Sequence, residues 1–244
     1  PLSVGLTMEG RRVRQPLWVA LGLTTAAAIG FALLFTTSRG AWLGIDGALA
    51  LTVLWLLVEW LIESRGLDRS RRPVIFLAVT AMIIAAAALV GAAVGPLRRL
   101  ILQLGPVANR AAIFSQAALL VRDYPFTGSG LGTFPLVHAT YALLIHVPVL
   151  SHAHALPLSV AVEQGLLGAD ALLLAWGVAA WLGLRALARS HGPRPLLAGA
   201  LLSLAVLVIH GLADDALYSS RGVLFLWAPA ALVLAAASDR STVH

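Results

Sequence analysis

"PLWVALGLTTAAAIGFALLFTTSRGAWLGIDGALALTVLWLLVEWLIESR", residues 16–65, is two long apolar runs parted by one short polar turn. A helix of about 20 residues rises about 30 Å, the thickness of bilayer hydrocarbon, and each run has that length. Pro16 falls at the start of the first run, where a helix loses nothing by lacking an N–H. The whole chain is 59% hydrophobic and 11% charged, far from the charged quarter of a soluble domain. The pattern predicts an all-α fold, a polytopic integral membrane helical bundle.

Outward from this pair, "TTSRG" separates a span at about 17–36 from one at about 41–62, and "ESRGLDRSRRP" leads to a third at about 74–95. Residues 96–154 form a long, moderately polar segment rich in Pro, Gly and His. Further spans follow at about 166–186, 196–212 and 222–237, about six in all. The expectation is a single membrane domain over 1–244, with a loop at about 96–160 that carries the site motifs. The chain opens on Pro1 with no cleavable signal pattern, and the reading is that it forms the C-terminal part of a longer protein.

Charge gives the orientation. A formal +6 would suggest nucleic acid in a soluble protein, but here the arginines lie between apolar runs, so no nucleic-acid partner is expected. With a cytoplasmic N-terminus, Arg11, Arg12, Arg14, Arg65, Arg69, Arg71, Arg72, Arg185, Arg189, Arg194 and Arg240 fall inside. Arg39, Arg98, Arg99, Arg110, Arg122 and Arg221 fall outside, a split of 11 to 6. The 11 lie in short loops and tails, where a positive-inside bias is meaningful. The 96–160 loop is therefore expected on the extracytoplasmic side. Within it, "NRAAIFSQAALLVRDYP" sets Ile113, Ala117 and Leu120 at helical spacing, an amphipathic helix near the membrane surface halted by Pro125. "FTGSGLGTF" is a glycine-rich turn, and no Lys-Ser/Thr follows to make it a nucleotide loop.

The polar residues facing outward each have an ordinary reading beside a chemical one. His138 and His146 read as water-facing residues with nothing specific around them. Arg39, in a tight "TSRG" turn, either pairs with Asp46 or clamps an anion through its fork of donors. Arg110 either snorkels to headgroups or binds an anion, and Arg122 reads as a surface pair with Asp123. His152 and His154 would make half of a metal site, but further ligands are distant, so no metal and no cofactor is expected. A single histidine acting as general base is the better chemistry. Glu163 suits a helix N-terminus, and Asp214 belongs to the polar turn "ADD". The absence of cysteine excludes disulfides and thiolate chemistry.

In order, "FTTSRGAWLG", "NRAAIFSQAALLVRDYPFTGSGLGTF", "SHAHALPLSVAVEQGLLG" and "HGLADDALYSSRGVLFLWAPA" resemble the O-antigen ligase superfamily over about residues 31–230. That superfamily takes in O-antigen ligases, O-antigen polymerases and protein O-oligosaccharyltransferases. Its members usually have about twice as many spans, which supports reading this chain as a C-terminal half. The resemblance implies an inverting, metal-independent glycosyl transfer from an undecaprenyl diphosphate-linked glycan to a hydroxyl of lipid A-core, a growing glycan or a protein. It implies a bacterial inner (plasma) membrane location with the site facing the periplasm or exterior. It carries the diphosphate-binding arginines onto Arg39 and Arg110 and the catalytic histidine onto His154, with His152, Arg122, Glu163 and Asp214 as supporting candidates. Ala155 departs from an asparagine common in the family, which leaves the acceptor open.

The rival from a different class is a membrane transporter of a small anion or solute. It should gather ionisable groups at mid-membrane, whereas here Asp46, Glu59 and Asp170 are the few within spans. The orientation has its own check. Ser70→Cys and Thr140→Cys, made singly in this cysteine-free chain, are expected to label from opposite sides. An impermeant thiol reagent that reaches Ser70→Cys but not Thr140→Cys in intact cells reverses the assignment.

Overall fold

The computed structural model of the protein describes residues 1–35, 38–93, 106–141, 153–190, 194–214 and 222–238. These residues form α1 (Leu2–Arg12), α2 (Pro16–Phe35), α3 (Arg39–Ser64), α4 (Arg72–Ala93), α5 (Pro106–Asp123), α6 (Phe134–Tyr141), α7 (Leu156–Arg189), α8 (Pro195–Ala213) and α9 (Val223–Ser238). No strand occurs among them. Among the described residues five helices are long and apolar enough to cross a membrane: Pro16–Phe35, Gly40–Ser64, Arg72–Leu89, Leu156–Arg189 and Pro195–Leu212. The protein is thus an all-helical, multi-span membrane bundle. The sixth expected span is helical over Val223–Ser238, but its 16 residues rise only ~24 Å, short of a full crossing. One helix, α1, lay outside the expectation. Its buried residues are Gly5, Thr7, Glu9 and Gly10, with Gly5 against α8 and Thr7 and Gly10 against α2, too small and polar a set to register as apolar periodicity.

The chain divides into two compact units. The first comprises Pro1–Phe76, Ala175–His210 and Ser219–His244. Its helices meet through small residues: a Cβ on Gly22 would fall 2.2 Å from Thr7 Oγ1, and one on Gly47 would fall 2.4 Å from Ile209 Cδ1. Close backbone approach of this kind replaces the hydrophobic drive that lipid cannot supply. At the α3–α4 turn the buried Arg72 reaches back to Glu59 at 2.7 Å and Glu63 at 3.2 Å. Burying that guanidinium is tolerable only because two carboxylates face it. Glu59, one of the few acids within the expected spans, is therefore committed to an ion pair. In the same turn Asp68 accepts hydrogen bonds from the Ser70 N–H and hydroxyl, which hold its carboxyl below the ordinary range. Val58, Ile62, Phe76 and Leu184 close a small core beside this turn.

The second unit comprises Leu77–Leu174 and Gly211–Tyr218. Its central feature is a break in α7 at Gly165, with φ 74° and ψ 178°. The span expected from residue 166 begins earlier, at Leu156, so that the break falls inside it. A helix interrupted here strands the carbonyls of Val162 and Glu163, whose partners would have been the N–H groups of residues 166 and 167. The glycine-rich turn supplies replacements. Ser129 N–H donates to Val162 O at 2.8 Å and Gly130 N–H to Glu163 O at 3.0 Å. In return Leu166 N–H donates to Pro125 O at 2.7 Å. Backbone this close leaves no room for side chains. A Cβ on Gly165 would stand 2.2 Å from Phe126 O, and one on Gly128 would stand 2.3 Å from the Glu163 carbonyl carbon. Both residues also hold positive φ, which glycine adopts without cost.

Gly165→Ala and Gly128→Ala are each expected to lower stability by about 2 kcal/mol or more, through left-handed strain together with overlap on backbone. Gly177 is the control within the same helix, since nothing lies within 4 Å of a Cβ there. Gly177→Ala should be neutral or stabilising by up to about 1 kcal/mol. Thermal unfolding of the three variants in detergent tests this; equal behaviour of Gly165→Ala and Gly177→Ala would remove the break from the account.

Candidate functional site

The helix expected around Ile113, Ala117 and Leu120 is α5, and all three residues are buried. Ala117 and Leu120 pack with Phe134 of α6, Val162 of α7 and Ala153 in one core cluster. Ala153 is fully covered, so the segment entering α7 is anchored one residue before His154. A second anchor is polar. Ala153 N–H donates to the Ser159 hydroxyl at 3.3 Å, and Ser159 N–H donates to Ala155 O at 2.9 Å. Ala155 is thereby the N-cap of α7, a position where asparagine would also cap with its side chain. Pro157 in the first turn costs nothing there.

Between these anchors His154 adopts φ 54°. Left-handed backbone costs a side-chain-bearing residue about 1–2 kcal/mol, and strain of this kind concentrates at functional sites. The turn brings His154 Nδ1 to 3.7 Å from Asp214 Oδ1, each side chain about 29% exposed. Asp214 directly follows the end of α8, and Gly211 in the last turn of that helix lies against Leu156, two residues past His154. At this range the two groups are within ion-pair reach of each other when the imidazole is protonated, though beyond hydrogen-bond distance.

The other expected residues fall as follows. Glu163 is buried and its carboxylate accepts Phe134 N–H at 3.4 Å. It caps the start of α6, not the span it precedes, and complements the positive end of that helix. Arg122 is exposed in the last turn of α5, where a cation meets the negative helix end. Arg39 opens α3 directly after Ser38, whose side chain caps that helix by accepting Ala41 N–H at 3.3 Å. Arg110 lies on α5. The side chains of Arg39, Arg110 and His138 fall outside the described structure, as do His146, His152 and Asp215. Among the described residues no group of three or more His, Cys, Asp or Glu is placed to hold a metal ion.

Sequence reading missed Ser159 and the joining of Asp214 to His154. Ser159 carried a usable signal, because a serine early in a helix commonly bonds backbone nearby. The pairing of Asp214, already a supporting candidate, with His154 carried none, since 60 positions separate the two.

Compared with known families, residues 24–173 match that described as O-antigen ligase, 150 of the 244 positions. The match takes in Arg39, Arg110 and His154 and stops short of Asp214. No curated protein and no solved structure gives a match.

The anchors generate a prediction. Ser159→Ala leaves the buried Ala153 N–H without its acceptor and is expected to cost about 1–3 kcal/mol. Ala155→Asn supplies the missing cap side chain and should gain about 1 kcal/mol. Denaturation midpoints of the two variants should move in opposite directions from wild type. Movement in one direction would show that residues 153–159 are not held as described.

Proposed function

The chain belongs to the O-antigen ligase family of membrane glycosyltransferases, and we propose that it moves a glycan from a polyprenyl diphosphate-linked donor to a hydroxyl acceptor at the outer face of the bacterial inner membrane. The donor would be of the undecaprenyl diphosphate type. The acceptor is a hydroxyl on lipid A-core, on a growing glycan or on a protein. The observation that carries the reading is His154, turned by left-handed backbone to face Asp214 at 3.7 Å.

The chemistry assigns each residue a task. The acceptor oxygen attacks the anomeric carbon from the face opposite the diphosphate, so the new C–O bond forms as the bond to the leaving group breaks. The acceptor proton passes to His154, whose imidazole Asp214 orients and whose positive charge it offsets. The diphosphate carries two negative charges in the donor and gains a third as it leaves with the electron pair of the broken C–O bond, and Arg39 and Arg110 would bind it through bidentate forks that lysine cannot reproduce. No step in this scheme calls on a metal or cofactor. Because the donor lipid stays in the bilayer, these polar groups belong where helices meet water. A transporter is supported less well, since the paired Glu59 leaves one acid fewer for a mid-membrane pathway.

Purified protein incubated with lipid-linked glycan and each candidate acceptor should extend one of them. Arg39→Ala and Arg110→Ala are expected to lose most transfer while still accumulating in the membrane, and lysine at either site should recover little. His154→Ala should reduce transfer by about 10²-fold or more, the usual scale for a lost base. Asp214→Asn should cost less than His154→Ala, and His152→Ala less again, with EDTA without effect. Equal losses from His152→Ala and His154→Ala, with inhibition by EDTA that zinc reverses, would overturn the base assignment in favour of a metal pair.

A further inference from the structure

Between Asp123 and Glu163 the chain carries no Asp, Glu, Lys or Arg, a stretch of 39 residues from 124 to 162. Its first part, the glycine-rich turn and the opening of α6, turns large apolar side chains outward. Phe126 is 69%, Leu131 74% and Leu136 76% exposed. A charge-free loop presenting three such groups is a poor surface for water and a good one for lipid. The residues just before it, Arg122 and Asp123, are also exposed but charged, so the character of the surface changes abruptly at Tyr124.

What the loop is bonded to decides its surroundings. Pro125 O accepts the N–H of Leu166 at 2.7 Å, and Leu166 is the first residue past the break at Gly165. Leu166 and Leu167 are themselves exposed. The loop is therefore bonded directly to a helix long and apolar enough to cross a membrane, Leu156–Arg189, beside the exposed Leu166 and Leu167. Its two hydroxyls nearest the break are satisfied by protein groups, as suits polar groups near lipid. Ser129 Oγ and Thr133 Oγ1 lie 2.8 Å apart, Thr133 Oγ1 donates to Gly130 O at 2.6 Å, and Ser129 Oγ donates to Val162 O at 3.1 Å.

We infer that the glycine-rich loop is a membrane seat: Phe126, Leu131 and Leu136 rest in the boundary between headgroups and acyl chains, continuous with Leu166 and Leu167. Phe134 at the end of the loop shares a buried cluster with Ala153, the neighbour of His154. The seat thus fixes the depth of the candidate base relative to the bilayer, and a lipid-borne substrate would meet it at that depth. The proposal rests on the membrane fold and not on the transfer reaction.

Nitroxide labels on single cysteines test it in the intact protein reconstituted into phosphatidylethanolamine–phosphatidylglycerol bilayers. Leu131→Cys and Leu136→Cys should collide with oxygen, which partitions into hydrocarbon, far more than with a water-soluble nickel chelate. Asp123→Cys should show the reverse, with a several-fold difference in the ratio. Nickel-dominated collisions at residues 131 and 136, matching residue 123, would put the loop in water and overturn the seat. Low accessibility to both reagents would mean that protein covers the loop, which overturns it equally. As a second arm, unlabelled Leu131→Glu should raise KM for a long-chain lipid donor while sparing a short-chain, water-soluble donor. An equal change for both donors counts against the seat. Inactivity of the wild type toward every glycan donor would fail the transferase reading and leave the collision result standing.

Discussion

The hydrogen bonds that repair the break at Gly165 organise the second unit. An α-helix that stops beside hydrocarbon leaves carbonyls with no water to turn to, at a cost of several kcal/mol for each group left bare. Val162 and Glu163 face that cost, and Ser129 and Gly130 meet it with backbone N–H groups. The bond returned from Leu166 to Pro125 closes the arrangement. Glycine is required on both sides because the two backbones touch where a Cβ would stand. A turn that reads as a simple connection is therefore part of the helix it docks on.

The other parts of the site hang from this joint. Glu163, beside the break, has its carboxylate on the N-terminus of α6, so α6 starts where the loop delivers it. Phe134 then reaches the cluster formed with Ala117, Leu120, Ala153 and Val162. Ala153 in that cluster holds the entry to α7, and His154 turns from it toward Asp214. Backbone repair, helix capping and core packing converge on one histidine. His154 is thereby held by contacts on several elements of the second unit, which is the preorganisation that the proposed role as a base would need.

Much of the fold was legible in the residues. Apolar runs near 20 residues long set the spans, because a helix that must satisfy its own backbone in lipid has few alternatives. The stripe of Ile113, Ala117 and Leu120 foretold the buried face of α5, and Pro125 its end, because both are matters of local period and local sterics. The fourth span was expected from residue 166, whereas the apolar helix begins at Leu156 and takes in the buried Glu163, whose partner lies on α6. The helix α1 escaped because its packing face is made of glycines and polar residues, whose fit depends on the partner helix.

The site was legible as a roster and not as an arrangement. His154, Glu163 and Asp214 stood out as polar groups among hydrocarbon, and the resemblance ranked them. That Asp214 faces His154, that Glu163 serves α6, and that Ser129 and Gly130 complete a helix 33 positions away are long-range choices. Each depends on which donor and acceptor arrive within about 3 Å of each other, a distance no periodicity encodes. By itself the sequence determined the spans, the apolar faces and the short list of chemical groups, because hydrophobicity and local backbone preference act over a few residues. The tertiary structure alone decided which of those groups meet, because a break in a buried helix must find its missing partners elsewhere in the chain.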